Sequence, residues 1–357
     1  MSDTMTAPDA FSMLALTKAI NTVPFLPGLV GNLVQFEPRP GATLIASIEV
    51  RRNRLALVPS TVRGAAPTTN VEDRRQLIPF TIPHFPVTDT VMADSVQGVR
   101  EFGSPTGLMS YEGEVQRRVE SMSRKLDVTL EWLRFGCITG TIITRVDRDT
   151  GAPVVTIPLW AMFGIVQPAA AVFPIGPNGD PLDAASPWLA NLTQAINDVT
   201  RRVENTLEID VPGFAAICGA TFFDSLVKHP EARDAYKTWA QDQASITVTR
   251  ERNMRRPFHF RGVDWYEYRA RVSQGAGGYM QFIDPATAQL LPLGVPDLFF
   301  EAYAPADWEE TVNTTALPRY AKAERMHMGR GRIIEAQMNV LPMCSQPNCL
   351  IQLVQAP

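Results

Sequence analysis

A chain of 357 residues with 45% hydrophobic content is long enough for about two domains, on a prior of roughly one per 150 residues, and can bury a sizeable core. Its formal net charge of −4 argues against a protein that grips nucleic acid over its whole surface, although local contact stays open. The N-terminal stretch MSDTMTAPDAFSMLAL lacks a basic start followed by an apolar run, and no segment approaches the apolar length of a membrane span, so the expectation is a soluble, intracellular globular protein without a membrane partner.

From Phe11 to Phe36 the chain is mixed and broken by proline (VPFLPGLVGNLVQF), as in an arm laid over other surfaces. Glu37 to Phe102, about 65 residues, carry almost no helical periodicity. Within them LALVPS and QLIPFTIPHF, with the β-branched, aromatic and proline content of edge strands, flank the polar loop VRGAAPTTNVEDRR, Val62 to Arg75. Pro59, Pro67, Pro79, Pro83 and Pro86 exclude a long interior strand. A hairpin with arms of some 15 residues at about 3.3 Å each would reach about 50 Å. Such a two-stranded ribbon is marginal alone in water, so something outside it must hold it.

The clearest helix comes next. Ser104 and Pro105 form an N-cap and first-turn pair, and Leu108, Val115, Val119, Met122, Leu126, Leu130 and Leu133 recur at helical spacings. Glu112, Glu114, Arg117, Arg118, Glu120, Arg124 and Glu131 make the polar face. Ending near Gly136, this helix runs about 30 residues, or about 45 Å. Its apolar repeat is too brief for a coiled coil, which favours a spine along an elongated molecule. ITGTIITRVDRDTGAPVVTIPLWAMFG, Ile138 to Gly164, reads as a β-hairpin turning at Asp147 to Gly151.

After a proline- and glycine-rich passage, a helix opened by Ser186 and Pro187 carries Trp188, Leu192, Ala195, Ile196, Val199 and Val203 on one face. A short buried strand (Phe214 to Gly219), two helical pieces divided near His229 and Pro230, and the strand fragments FRGVDWYEYRARV, GGYMQFID and PDLFFEAYAPADW follow. This alternation predicts an α/β domain. The terminal stretch GRIIEAQMNVLPMCSQPNCLIQLVQ contains two apolar strands around a Pro-Asn turn and no helix to pack on. It is expected to return to the spine helix and its hairpin, giving a discontinuous domain.

Chemistry is sparse. Cys137, Cys218, Cys344 and Cys349 do not suggest a disulfide framework, and the Cys344/Cys349 spacing has no histidine or second cysteine pair near it to make a metal site. His84, His229, His259 and His327 lie in unrelated settings. No GxSxG, P-loop, GxGxxG after a strand or HExxH occurs. SQGAGGY, Ser273 to Tyr279, imitates a phosphate loop but lacks the following Lys-Ser/Thr, so a hairpin tip explains it better. Asp147 and Asp149 could be imagined as metal ligands, although turn carboxylates usually bond local backbone. Arg325, Arg330 and Arg332 around Met326 and Met328 form a basic patch that could touch phosphate, with a solvated or intersubunit patch the commoner meaning. No catalytic, metal or cofactor site is expected.

The order of parts, with LALVPSTVRGAAP in a loop position, the spine end running into ITGTIITRVDRDTGAPVVTIPLW, then ICGATFFDSLVKHPEARDAY, FRGVDWYEYRARV and LPRYAKAERMHMGRGRIIEAQMNVLPMCSQPNCLIQLV, resembles the major capsid proteins of tailed bacteriophages. More specifically the chain looks like the lambda-type family, phage major capsid protein E, with the Hong Kong 97-type fold. The resemblance implies an α+β chain divided as follows: an N-terminal arm (1–36), an extended β-hairpin loop (37–102), a first peripheral part with spine helix and hairpin (103–184), an axial domain (185–320), and returning peripheral strands (321–357). It further implies a non-enzymatic protein of the virion, assembled in the host cytoplasm. There it would form pentamers and hexamers, and from these an icosahedral shell around double-stranded DNA held by weak, non-specific contact. A scaffolding protein, a portal and a decoration protein are the other partners implied. Arg51, Arg52, Arg54, Arg63, Arg74 and Arg75 become intersubunit contact candidates, against the plainer reading of a solvated edge that deters strand aggregation. The rivals are an encapsulin-type nanocompartment and, from another class, a metal-dependent hydrolase using Asp147, Asp149 and His327.

Overall fold

The computed structural model describes residues 28–50, 76–97, 99, 110–146, 153–176, 192–245, 257–273 and 279–356. Its first half holds α1 (Leu29–Leu33), β1 (Glu37–Pro40), β2 (Ile45–Val50), β3 (Gln76–Thr81), β4 (His84–Met92), α2 (Tyr111–Thr139), β5 (Thr141–Val146), β6 (Pro153–Pro158), α3 (Leu159–Met162) and β7 (Ala171–Phe173). Then come α4 (Leu192–Leu207), β8 (Gly213–Cys218), α5 (Ala220–Lys228), α6 (Pro230–Ser245), β9 (Phe258–Phe260), β10 (Val263–Glu267), β11 (Arg271–Ser273) and β12 (Tyr279–Gln281). The chain closes with β13 (Thr287–Leu293), β14 (Phe299–Tyr303), β15 (Tyr320–Arg325), β16 (Gly331–Cys344) and β17 (Ile351–Gln355).

The run Phe214 to Cys218 is apolar at every position because β8 sits inside a six-stranded sheet ordered β7-β17-β13-β8-β10-β9, where both faces are covered. Ala215, Ala216, Ile217 and Cys218 are fully buried. Helix α4 turns Leu192, Ile196, Val199, Val203 and Leu207 inward, a stripe at spacings of three and four. Phe222 stacks on Trp265 across this core, and Phe173 meets Trp265 edge-on.

A second sheet is ordered β1-β14-β16-β15, with β4 also paired to β16. Its longest strand, β16, packs against α2. Pro86 of β4 lies opposite Gln337 of β16, and within the described residues β4 has no strand on its other side, so the missing N–H costs no ladder bond.

Helix α2 begins at Ser110, whose hydroxyl accepts from the Gly113 N–H at 3.0 Å, rather than at Ser104. It ends at Gly140, beyond the expected Gly136. Gly140 is left-handed (φ 76°) and lies so close to the Trp160 ring that a β-carbon has no room. Its 29 residues span about 44 Å. Residues 101–109 and the starting pair Ser186 and Pro187 lie outside the described residues.

Strand partners redraw the expected boundaries. Inside the predicted extended loop, β1 and β4 join the second sheet, and only β2 and β3 pair with each other. β14, assigned to the axial stretch 185–320, pairs with β16. β17, expected to return to the spine helix, pairs instead with β13 and β7 in the six-stranded sheet. The chain therefore passes between the sheets after β13 and again after β16. Those passages touch: Ser345 donates its N–H to Leu298 O at 2.8 Å and its Oγ–H to Asp297 O at 3.0 Å. Trp160, on a third passage, donates to Pro347 O at 3.2 Å.

Candidate assembly surfaces

β2 and β3 form a two-stranded ribbon with six rungs, from Ile45 opposite Thr81 to Val50 opposite Gln76. Alternation puts Ile48, Ile78 and Phe80 on a buried face. The other face leaves Ile45 60% and Leu77 65% exposed, with Leu44 beside them at 61%. The hairpin β5–β6 pairs Thr141 with Pro158 and leaves Val154 and Val155, on opposite faces of β6, exposed. Exposed apolar side chains on ribbons without a third strand among the described residues suit an interaction surface. Arg51, Arg52, Arg54, Arg63, Arg74 and Arg75, which extend the ribbon in sequence, lie outside the described residues, as does the turn with Asp147 and Asp149.

The polar face expected on α2 is not simply solvated. Glu114 is buried and takes hydrogen bonds from Arg117 and Arg118 at 2.7 Å, and Arg118 continues to Asp89 of β4 at 3.0 Å. The Arg117 hydrogen bond, helped by Arg118 and opposed by burial, holds the Glu114 carboxyl down at about 2. Glu131 is also buried. Its two oxygens accept the N–H groups of Val30 (2.7 Å) and Gly31 (3.2 Å), satisfying first-turn donors of α1, and Tyr268 reaches it from the six-stranded sheet at 3.5 Å. Burial raises this carboxyl, with the two backbone donors pulling the other way.

One turn on, Arg134 donates to the buried Glu301 of β14 at 2.6 Å and lies over the Phe36 ring. Tyr303 gives Glu301 its second bond. The end of α2 is thus tied to the segment after the arm, to β14 and to the six-stranded sheet. Periodicity alone missed this. The signal was in Leu130 to Ile138 (LEWLRFGCI), apolar on every face, where a carboxylate cannot stay in water.

The four histidines are not brought together. His84 bonds Asn339 at 2.7 Å, His229 is buried where its Nδ1 accepts the Glu231 N–H, His259 pairs with Asp264, and His327 is exposed on the turn after β15. Among the described residues no three His, Cys, Asp or Glu side chains are placed to hold a metal ion, and no helix is long and apolar enough to cross a membrane. The basic patch is brought together: Arg325 and Arg332 are directly opposite on β15 and β16, and Arg330 lies in the turn between.

Comparison with known proteins gives this architecture its family. The sequence model described as phage major capsid protein E matches residues 12–355. The major capsid protein of Salmonella phage Felix O1 is 23% identical over 367 aligned residues, and that of Pseudomonas phage KPP10 is 26% identical over 349, each covering 96% of both chains. A crystal structure of a candidate capsid protein from a prophage of E. coli CFT073 superimposes with a TM-score of 0.52 at 11% identity, over 96% of this chain and 98% of that one. Matched over nearly its whole length and built on the Hong Kong 97-type α+β plan, the chain belongs to the phage major capsid protein E family, whose members are structural shell proteins and not enzymes.

Proposed function

We propose that this capsid protein assembles into pentamers and hexamers that close into an icosahedral head around double-stranded DNA. The family match across residues 12–355 carries the reading. The exposed apolar side chains of the β2–β3 and β5–β6 ribbons support it, because closure around like copies gives each of them a cover. In this reading β2, β3 and the residues between them overlap a neighbouring copy. The sheet on α2 forms the peripheral part, and the six-stranded sheet with α4, α5 and α6 meets its copies around the capsomer axis. The domain boundaries follow the strand partners above, with β14 peripheral and β17 axial. Assembly takes place in the host cytoplasm with a scaffolding protein and a portal, and a decoration protein binds outside. The formal charge of −4 suits a wall that holds packed DNA weakly.

Expression of the chain together with its scaffolding protein, followed by negative-stain microscopy, tests this, and nuclease protection of particles recovered from infection tests the enclosure of DNA. Closed shells with five- and six-fold capsomers are expected, and only small soluble assemblies would overturn the reading. Changing Arg74 and Arg75 together to Glu is expected to impair assembly while leaving helix content by circular dichroism unchanged. Normal shells from that variant would return both arginines to a solvated edge.

A further inference from the structure

At the turn between β15 and β16 the backbone is folded tightly. Met326 donates its N–H to Gly331 O and Gly329 donates to Met326 O, each at 3.0 Å, while Met328 (φ 60°) and Gly329 (φ 69°) are both left-handed. A left-handed methionine is uncommon and costs strain. Gly331 sits against the Val91 carbonyl, where a β-carbon would clash, so the turn lies directly on the end of β4. The result is a concavity of about 340 Å³ lined by Ala93, Tyr111, Arg325, Gly329, Gly331 and Arg332.

Its charge is unbalanced. Arg325 and Arg332 face each other on the last rung of the β15–β16 ladder, a like-charge pair that weakens a sheet when nothing lies between. Among the described residues neither guanidinium has a carboxylate within ion-pair distance, unlike Arg117, Arg118, Arg134 and Arg319 of the same part of the fold. Arg332 lies 5.9 Å over the Tyr111 ring, and the Tyr111 hydroxyl is anchored on Val91 O at 2.9 Å. The ring therefore fixes one wall and the arginines supply the other.

We propose that this pocket receives a carboxylate side chain from a second copy of the chain. The inference rests on the capsid reading and names the partner for one surface of it. Two guanidinium forks across a small-residue floor match the bidentate geometry of a carboxylate. The surroundings select a protein partner over the phosphates of packaged DNA. Met328 is 77% exposed at the tip, and methionine with arginine, without lysine, is the composition of a protein interface.

Zero-length cross-linking tests this. Arg325 is exposed and outside the ring contact, so Arg325→Lys is expected to melt like the parent and to close shells. In assembled shells a carbodiimide joins the new amine to a carboxylate at contact distance. An amide bond forms, and the water lost is taken up by the reagent as it leaves as a urea. A dimer band absent from parent shells is expected on a denaturing gel, with the peptide around position 325 joined to an Asp- or Glu-bearing peptide. Arg325→Glu is expected to abolish closure.

Three results overturn the proposal: cross-links identical to the parent's, a new link confined within one chain, or normal shells from Arg325→Glu. Normal shells that lose only their DNA would reassign the pocket to phosphate. Absence of shells from the parent chain would instead overturn the capsid reading itself, so the two failures are distinct.

Discussion

The β2–β3 ribbon and the C-terminal turns of α2 are both organised around apolar side chains, yet they place their remaining groups differently. The ribbon closes its ladder on itself and leaves Ile45 and Leu77 in solvent. The helix end spends Glu131 and Arg134 on partners about 100 and 167 residues away, at Val30, Gly31 and Glu301. A region whose polar groups bond to distant segments opens only with the whole subunit. A region bonded only to itself can exchange solvent for a neighbour at little cost to the fold that carries it. Intrasubunit stability and intersubunit contact are therefore separable in this chain.

The sharpest way to break that separation is to remove Glu301, which leaves the Arg134 guanidinium largely buried without its carboxylate. Glu301→Ala is expected to lower subunit stability by about 3 kcal/mol in urea unfolding, and an unchanged midpoint would show that the helix end is not tied as described. Glu131→Ala, which strands two N–H groups of α1, is expected to cost about 2 kcal/mol.

Glu131→Gln has a smaller effect with a sign of its own. Because burial raises the Glu131 carboxyl above its unfolded value, its contribution is fully present below the unfolded pKa and is lost as pH rises through the folded one. The Gln variant should therefore gain on the parent as pH rises above the ordinary carboxylate range. Glu114 behaves oppositely. Held near 2, its contribution is present above the ordinary carboxylate range and is lost as pH falls toward 2, so Glu114→Gln should lose most at neutral pH and converge with the parent in acid. Urea midpoints across pH check both, and parallel profiles would refute the contrast.

On the ribbon, Ile45→Ser with Leu77→Ser is expected to shift the free subunit's stability by no more than ~0.5 kcal/mol while making shells fragile or incomplete. A large loss of stability would place the outer face in the subunit's own core. The smallest expected effect is none at all: no lysine falls between Glu37 and Phe102, and arginine is a poor nucleophile. Assembled subunits should separate completely in boiling detergent, and a ladder of multimers would contradict this.

What could be read from the sequence divides along the same line. Periods of 3.6 and 2 are local, so α4, the β8 run and the β5–β6 hairpin were legible from Leu192 to Val203, Phe214 to Cys218 and Thr141 to Pro158. Ser104 with Pro105 has the composition of a helix start, whereas the helix is capped at Ser110, whose hydroxyl takes the Gly113 N–H. The partners of β14 and β17 were not legible, because an apolar strand carries no mark of which sheet will take it. The buried roles of Glu114 and Glu131 depend on segments far off in sequence. The pocket at Arg325 and Arg332 was half visible as a basic cluster, and its walls, Ala93 and Tyr111, come from elsewhere.

The paired passages between the two sheets have a mechanical consequence. A plate hung on one strand of chain can tilt in any direction, whereas one hung on two strands bonded side by side swings chiefly about the line joining them. The bonds from Ser345 to Leu298 and Asp297 fasten the passages together, and Trp160 on Pro347 braces them from a third. Swinging along that line leaves these bonds whole and must slide Trp132 and Phe135 of α2 over Tyr268 and Phe282, while twisting across it would tear the bonds as well. If the shell is built as proposed, differences in curvature between five-fold and six-fold positions would be met by one repeated bend, with both sheets left intact.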